Sequence, residues 1–79
     1  MSKTSEKLDV RGLQCPLPVL KARKKMLSMP PGATLIVETT DPASVIDFPH
    51  YCNESGHELV GQTVADEVYI FTLKVKQES

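Results

Sequence analysis

The chain has 79 residues, 24% of them charged, and a formal net charge of −1, enough for one domain with a modest core and not for two. Two cysteines are too few for a disulfide-stapled secreted module, and no apolar run approaches a membrane span or a signal-peptide core, so a reducing, cytoplasmic setting is expected. Slight overall acidity, with no Trp and few other aromatics, argues against a dedicated nucleic-acid binder.

In chain order, residues 1–7 read as a polar tail, residues 8–76 as a single domain and residues 77–79 as a second tail. Residues 8–10 are expected to form a short strand, followed by a loop containing Gly12 and a helix from Pro16 to about Met29. Val19, Leu20, Ala22, Met26 and Leu27 fall on one face of that helix, while Lys21, Lys24, Lys25 and Ser28 lie largely opposite. Pro30-Pro31-Gly32 stops it, and the β-branched run 33–40 reads as a second strand. Asp41-Pro42 supplies the N-cap and first position of a second helix, a cap that stabilises by roughly 1 kcal/mol. Pro49 cannot donate to the Val45 carbonyl, which predicts a kink or restart near Asp47, and Gly56 ends the helix. Residues 57–61 read as a short strand and 62–67 as a turn. Residues 68–75 form a longer strand, its apolar face made by Tyr69, Phe71, Leu73 and Val75 opposite Thr72 and Lys74. The βαβαββ order fits an α/β two-layer sandwich: a four-stranded mixed sheet with two helices on one face, leaving Ile36 and Ile70 toward the other.

The chemistry centres on Cys15-Pro16-Leu17-Pro18, which places a thiol at a helix entrance. Cysteine is not a favoured N-cap, so its place there asks for a reason other than helix stability. Pro16 suits the first helical position, and Pro18 at the third leaves the Leu17 N–H as the donor to the sulfur. The positive end of the helix, with Arg11 as a nearby cation, is expected to favour thiolate and lower the Cys15 pKa. The competing reading is a small apolar cysteine filling a gap under the sheet. Charge is also uneven along the chain. Lys7, Arg11, Lys21, Arg23, Lys24 and Lys25 come early, whereas residues 26–73 lack Lys and Arg but carry Glu38, Asp41, Asp47, Glu54, Glu58, Asp66 and Glu67. The basic cluster is either a solvated helix face or a surface that orients the thiol toward an acidic partner.

Cys52 has two further readings: a partner for Cys15 in a disulfide, or a metal ligand with His50 and His57. The spacing matches no standard zinc pattern and lacks a fourth ligand, so a cysteine packed in the core beside Val45 and Phe48 is the expectation, with no metal site.

The run Leu8-Asp9-Val10-Arg11-Gly12-Leu13-Gln14-Cys15-Pro16-Leu17-Pro18 resembles the signature of the TusA/SirA sulfur-carrier family, and the later segment from Pro49 to Leu59 resembles its tRNA-thiolation TusA branch more than the other branches. The likeness continues through Pro31-Gly32, Thr40-Asp41-Pro42-Ala43, Pro49, His57-Glu58-Leu59 and the last strand. The resemblance implies that Cys15 carries sulfane sulfur as a persulfide. A cysteine desulfurase or rhodanese-type donor would supply it, and a downstream acceptor protein would receive it, in one branch toward 2-thiouridine in tRNA. Gly12, Pro16 and Pro18 would then position the thiol, and Arg11, Lys21, Lys24, Lys25 and Asp41 would meet partners. No cofactor, membrane or sequence-specific nucleic acid is called for. The alternatives are a thiol redox protein using Cys15 and Cys52, and a regulatory nucleic-acid-binding module.

Overall fold

Burial alternates residue by residue along Thr34–Thr39, where Leu35, Val37 and Thr39 are enclosed while Thr34, Ile36 and Glu38 are half-covered. A strand with one fully buried side must be covered by another layer, and the two helices supply it. The computed structural model describes residues 5–76. The elements are β1 (Ser5–Asp9), α1 (Leu17–Leu27), β2 (Thr34–Thr39), α2 (Ser44–Ser55), β3 (Glu58–Ala65) and β4 (Val68–Lys74). The strands form one mixed sheet in the order β1-β2-β4-β3, with β1 parallel to β2 and the other neighbours antiparallel.

The core lies between sheet and helices. Phe48 of α2 stacks on Phe71 of β4 with ring centroids 4.8 Å apart, and Val10, Ala22, Met26, Leu35, Val37 and Leu73 close around them. On α1 the buried stripe is Pro18, Ala22 and Met26, spaced four apart. Leu20 and Leu27, expected on that face, are 49% and 76% exposed. Val45 on α2 is likewise exposed rather than buried, because the face of α2 toward the sheet runs through Ser44, Phe48 and Cys52. Ile36 and Ile70 are half-covered.

Three boundaries differ from expectation for identifiable reasons. β1 begins at Ser5, so part of the expected tail is paired: Ser5, Glu6 and Lys7 lie beside Thr34, Leu35 and Ile36, and Glu6 forms an ion pair with Lys25 of α1. Residues 1–4 and 77–79, the remainder of the expected tails, lie outside the described residues. α2 starts at Ser44 rather than at Pro42 and runs unbroken through Pro49, so the expected kink does not interrupt it. Val45, whose carbonyl loses its intrahelical donor, is partly exposed, and solvent can take up the freed acceptor. Gly56 ends the helix with φ 89°, its N–H bonded to the Cys52 carbonyl. β3 runs for eight residues, Glu58–Ala65, and so extends beyond the expected strand of residues 57–61, because the turn before β4 is only Asp66-Glu67, both at positive φ (51° and 66°), with Ala65 opposite Val68.

Candidate functional site

β1 and β2 are parallel, so their C-terminal ends share one edge of the sheet, and the loops leaving them meet there. The first loop carries Cys15 and the second Asp41. Val10 N–H donates to the Glu38 carbonyl (2.9 Å) and continues the strand pairing one residue past β1. Gly12, at φ 85°, turns the chain and donates its N–H to Thr40 Oγ1 (2.9 Å). Cys15 N–H then donates to Asp41 Oδ2, while Asp41 Oδ1 accepts from Ala43 N–H (3.1 Å). Behind this clasp, buried Thr39 and Ser44 share a hydroxyl contact of 3.3 Å, and Thr39 Oγ1 also accepts from Asp41 N–H (3.1 Å). Among the described residues every buried side-chain polar atom has a partner.

The helix entrance differs from the expected cap. Pro16 occupies the N-cap position, with Leu17 and Pro18 as the first two helical residues, and no side chain caps the helix. Leu17 N–H donates to the Gln14 carbonyl (2.8 Å) rather than to sulfur, and the Cys15–Pro16 peptide is cis. Asp41 likewise is not the cap of α2. Ala43 holds that position, and the Asp41 carboxylate instead ties the two loops together.

Cys15 is an exposed free thiol, which removes the reading of a gap-filler under the sheet. It opens onto a groove of about 300 Å³ between the start of α1 and the outer face of α2, lined by Pro16, Val19, Asp47, His50, Tyr51 and Glu54. The electrostatics reverse the expectation from the helix end. The Asp47 carboxylate, which lines the same groove, pushes the Cys15 pKa above its ordinary value. Lost hydration and the negative charges of Asp47 and Asp41 add to that rise. Arg11 does not offset it, because its guanidinium is taken by Asp9 through two contacts of 2.9 Å. The same pair holds the Asp9 carboxyl down to about 2.

Lys21, Lys24 and Lys25 lie elsewhere. They line a second groove with Leu8 and Ser28, on the β1 side of α1, and Lys25 is engaged by Glu6. Cys52 is buried in the core and burial pushes its thiol up, while His50 is exposed at the Cys15 groove. His57 accepts from Lys76 N–H at Nδ1 (3.0 Å), so His50, Cys52 and His57 do not converge. Among the described residues no three His, Cys, Asp or Glu side chains are grouped to hold a metal. No described helix is long and apolar enough to cross a membrane.

Sequence reasoning missed Asp47, His50, Tyr51 and Glu54 as neighbours of Cys15. Their spacing carried the signal: 47, 50, 51 and 54 mark one side of a helix whose other side is apolar, and that side faces the start of α1.

The chain matches the family described as Sulfurtransferase TusA over residues 6–75. A protein of Neisseria meningitidis named as a candidate sulfur carrier is 43% identical over 74 residues, 94% of this chain and 97% of its own. The sulfur carrier protein TusA of Allochromatium vinosum is 38% identical over 74 residues, again 94% and 97% of the two chains. The fold is shared with the crystal structure of a SirA-like protein from Desulfitobacterium hafniense, at a TM-score of 0.80 and 20% identity, covering 91% of this chain and 99% of that one.

Proposed function

The chain belongs to the TusA sulfurtransferase family, and on that premise we propose that it is a cytoplasmic relay taking sulfane sulfur as a persulfide on Cys15 and handing it to an acceptor protein. The observation that carries the reading is an exposed free thiol on a loop clasped to its neighbour and opening onto a groove. Loading is attack by Cys15 sulfur on the outer sulfur of a donor persulfide. Unloading is attack by an acceptor thiolate on the outer sulfur now held by Cys15, whose own sulfur leaves. Both steps exchange one sulfur–sulfur bond for another, and no cofactor enters them.

A cysteine desulfurase or a rhodanese-type protein is the donor class that the family resemblance implies. Among the acceptors, a relay toward 2-thiouridine in tRNA fits the resemblance of the segment from Pro49 to Leu59 to the TusA branch. Gly12, Pro16 and Pro18 shape the loop that presents the thiol. Arg11 and Asp41 border that loop, and Lys21, Lys24 and Lys25 offer a partner a separate basic surface on the β1 side of α1. A dithiol redox function using Cys52 is disfavoured by the burial of Cys52 in the core. Incubation with a cysteine desulfurase and sulfur-labelled cysteine tests the proposal. Label that dithiothreitol removes, and that Cys15→Ser does not acquire, is the expected result; equal labelling of Cys15→Ser would overturn it.

A further inference from the structure

α1 follows β1 and α2 follows β2, two parallel strands, so both helices start at the same edge of the sheet and run back beside each other. Tyr51 and Glu54 line the Cys15 groove and also a second cavity of about 460 Å³ farther along, whose walls include Arg23, Leu27, Ser55, His57 and Lys76. The lining residues step by four on each helix, as Val19, Arg23 and Leu27 on α1 and as Asp47, Tyr51 and Ser55 on α2. The two cavities therefore form one furrow between the helices, with the thiol at its head. Leu27, 76% exposed and outside the core, borders its far end.

Charge is ordered along this furrow. Asp47 lies at the head and Glu54 belongs to both cavities, whereas Arg23 and Lys76 line only the far one, so the furrow is acidic near the thiol and basic beyond it. Among the described residues the ion pairs are Arg11–Asp9 and Lys25–Glu6, which leaves Asp47, Glu54, Arg23 and Lys76 free to meet a partner's charges. Lys76 N–H donates to His57 Nδ1 (3.0 Å), an anchor that holds residue 76 at the far end. From Val19 to Leu27 the α1 axis rises about 12 Å. That is the reach of about four residues of extended chain, which turns every second side chain to the same face.

We infer that the furrow seats an extended segment of the protein that exchanges sulfur with Cys15: its cysteine at the thiol, a basic side chain over Asp47 and Glu54, and an acidic side chain at Arg23 and Lys76. The inference rests on the persulfide-relay reading above and names the kind of partner that relay serves. In unloading, the segment's thiolate attacks the outer sulfur on Cys15, the Cys15 sulfur–sulfur bond breaks, and Sγ leaves with the electron pair. The basic side chain near the head offsets the repulsion between the arriving thiolate and Asp47. An acidic side chain in that place would add to the repulsion, so the order of charges, and not their sum, selects the segment.

The test uses two blocked peptides of equal net charge, Cys-Ser-Lys-Ser-Glu and Cys-Ser-Glu-Ser-Lys, each as its mixed disulfide with thionitrobenzoate. Cys15 Sγ attacks the peptide sulfur, the mixed disulfide breaks, and thionitrobenzoate leaves as a coloured thiolate whose release gives the rate. Glutathione in place of the protein supplies the intrinsic ratio of the two peptides. Beyond that ratio the first peptide reacts faster, by on the order of fivefold at low ionic strength and less as salt is added. Arg23→Glu reduces the preference, and Arg23→Glu with Glu54→Arg reverses it; both positions are exposed, so the fold tolerates the exchange. Equal rates after the glutathione correction, or a preference that the double exchange leaves unchanged, would overturn the furrow. The same two peptides as free thiols, offered to protein loaded with glutathione persulfide, show the same preference in sulfur handover. A preference in the disulfide assay from a protein whose Cys15 takes up no sulfur would overturn the relay reading while supporting the furrow as a peptide site.

Discussion

Replacing Asp41 with alanine removes both oxygens that join the Cys15 loop to the start of α2. Each hydrogen bond to a charged group contributes about 1.5–3 kcal/mol net when enclosed. Asp41 is half-buried and Cys15 is exposed, so water replaces part of what is lost, and the total falls to about 1–2 kcal/mol. For a domain of this size that lowers the thermal midpoint by roughly 5–15 °C. Calorimetry reads the midpoint, and hydrogen exchange locates the change: the Cys15 and Ala43 amides lose protection while Leu35 and Leu73 in the core keep theirs. Asp41→Asn, which retains one acceptor, falls between. An unchanged midpoint with Cys15 amide protection intact would show that the clasp does not hold the loop and refute the reasoning.

Phe48→Ala removes a fully buried ring stacked on Phe71 and costs about 3–5 kcal/mol, nearly all that a core of this size supplies, so circular dichroism is expected to show a largely unfolded chain; a cooperative transition near the wild-type midpoint would contradict this. Gly12→Ala meets nothing within 4 Å, so its cost is the backbone's alone, about 1–2 kcal/mol for a side chain at φ 85°, measurable by urea unfolding. Burial, with Lys76 adding, lowers the His57 pKa below its ordinary 6.5. The folded state therefore binds fewer protons than the unfolded one, so His57 makes stability decline as pH falls through 6.5 and on through the folded value. Proton NMR of His57 and a pH series of thermal midpoints check the sign, and His57→Gln flattens that decline.

Much of the sheet was legible because its signals are local. The β-branched residues of Thr34–Thr39 and the alternation of Phe71, Leu73 and Val75 specify strands with one covered face, and Pro30-Pro31-Gly32 and Gly56 mark where helices stop. β1 was read short because Ser5, Glu6 and Lys7 are polar, and only pairing with β2 and the ion pair to Lys25 account for their place. β3 was read short because a two-residue hairpin turn is ordinarily announced by glycine or asparagine, and here Asp66 and Glu67 adopt positive φ instead. At the site, Cys15 was evident from its neighbours in sequence, whereas its protonation was not. The helix end is a local feature that lowers a thiol pKa; Asp47 and Asp41 arrive from α2 and the loop before it, and their effect prevails. Cys52 was legible as a core residue for the converse reason, since its place four after Phe48 repeats the buried side of the same helix.

Single-turnover handover tests the central claim most directly. Protein loaded by a sulfur donor and freed of it would be mixed with an acceptor thiol protein, and both followed at the peptide level by mass. One extra sulfur on the Cys15 peptide, lost as the acceptor gains it, with Cys52 unmodified throughout, is the predicted result. Sulfur absent from Cys15, or a Cys15–Cys52 disulfide formed in its place, would contradict the account.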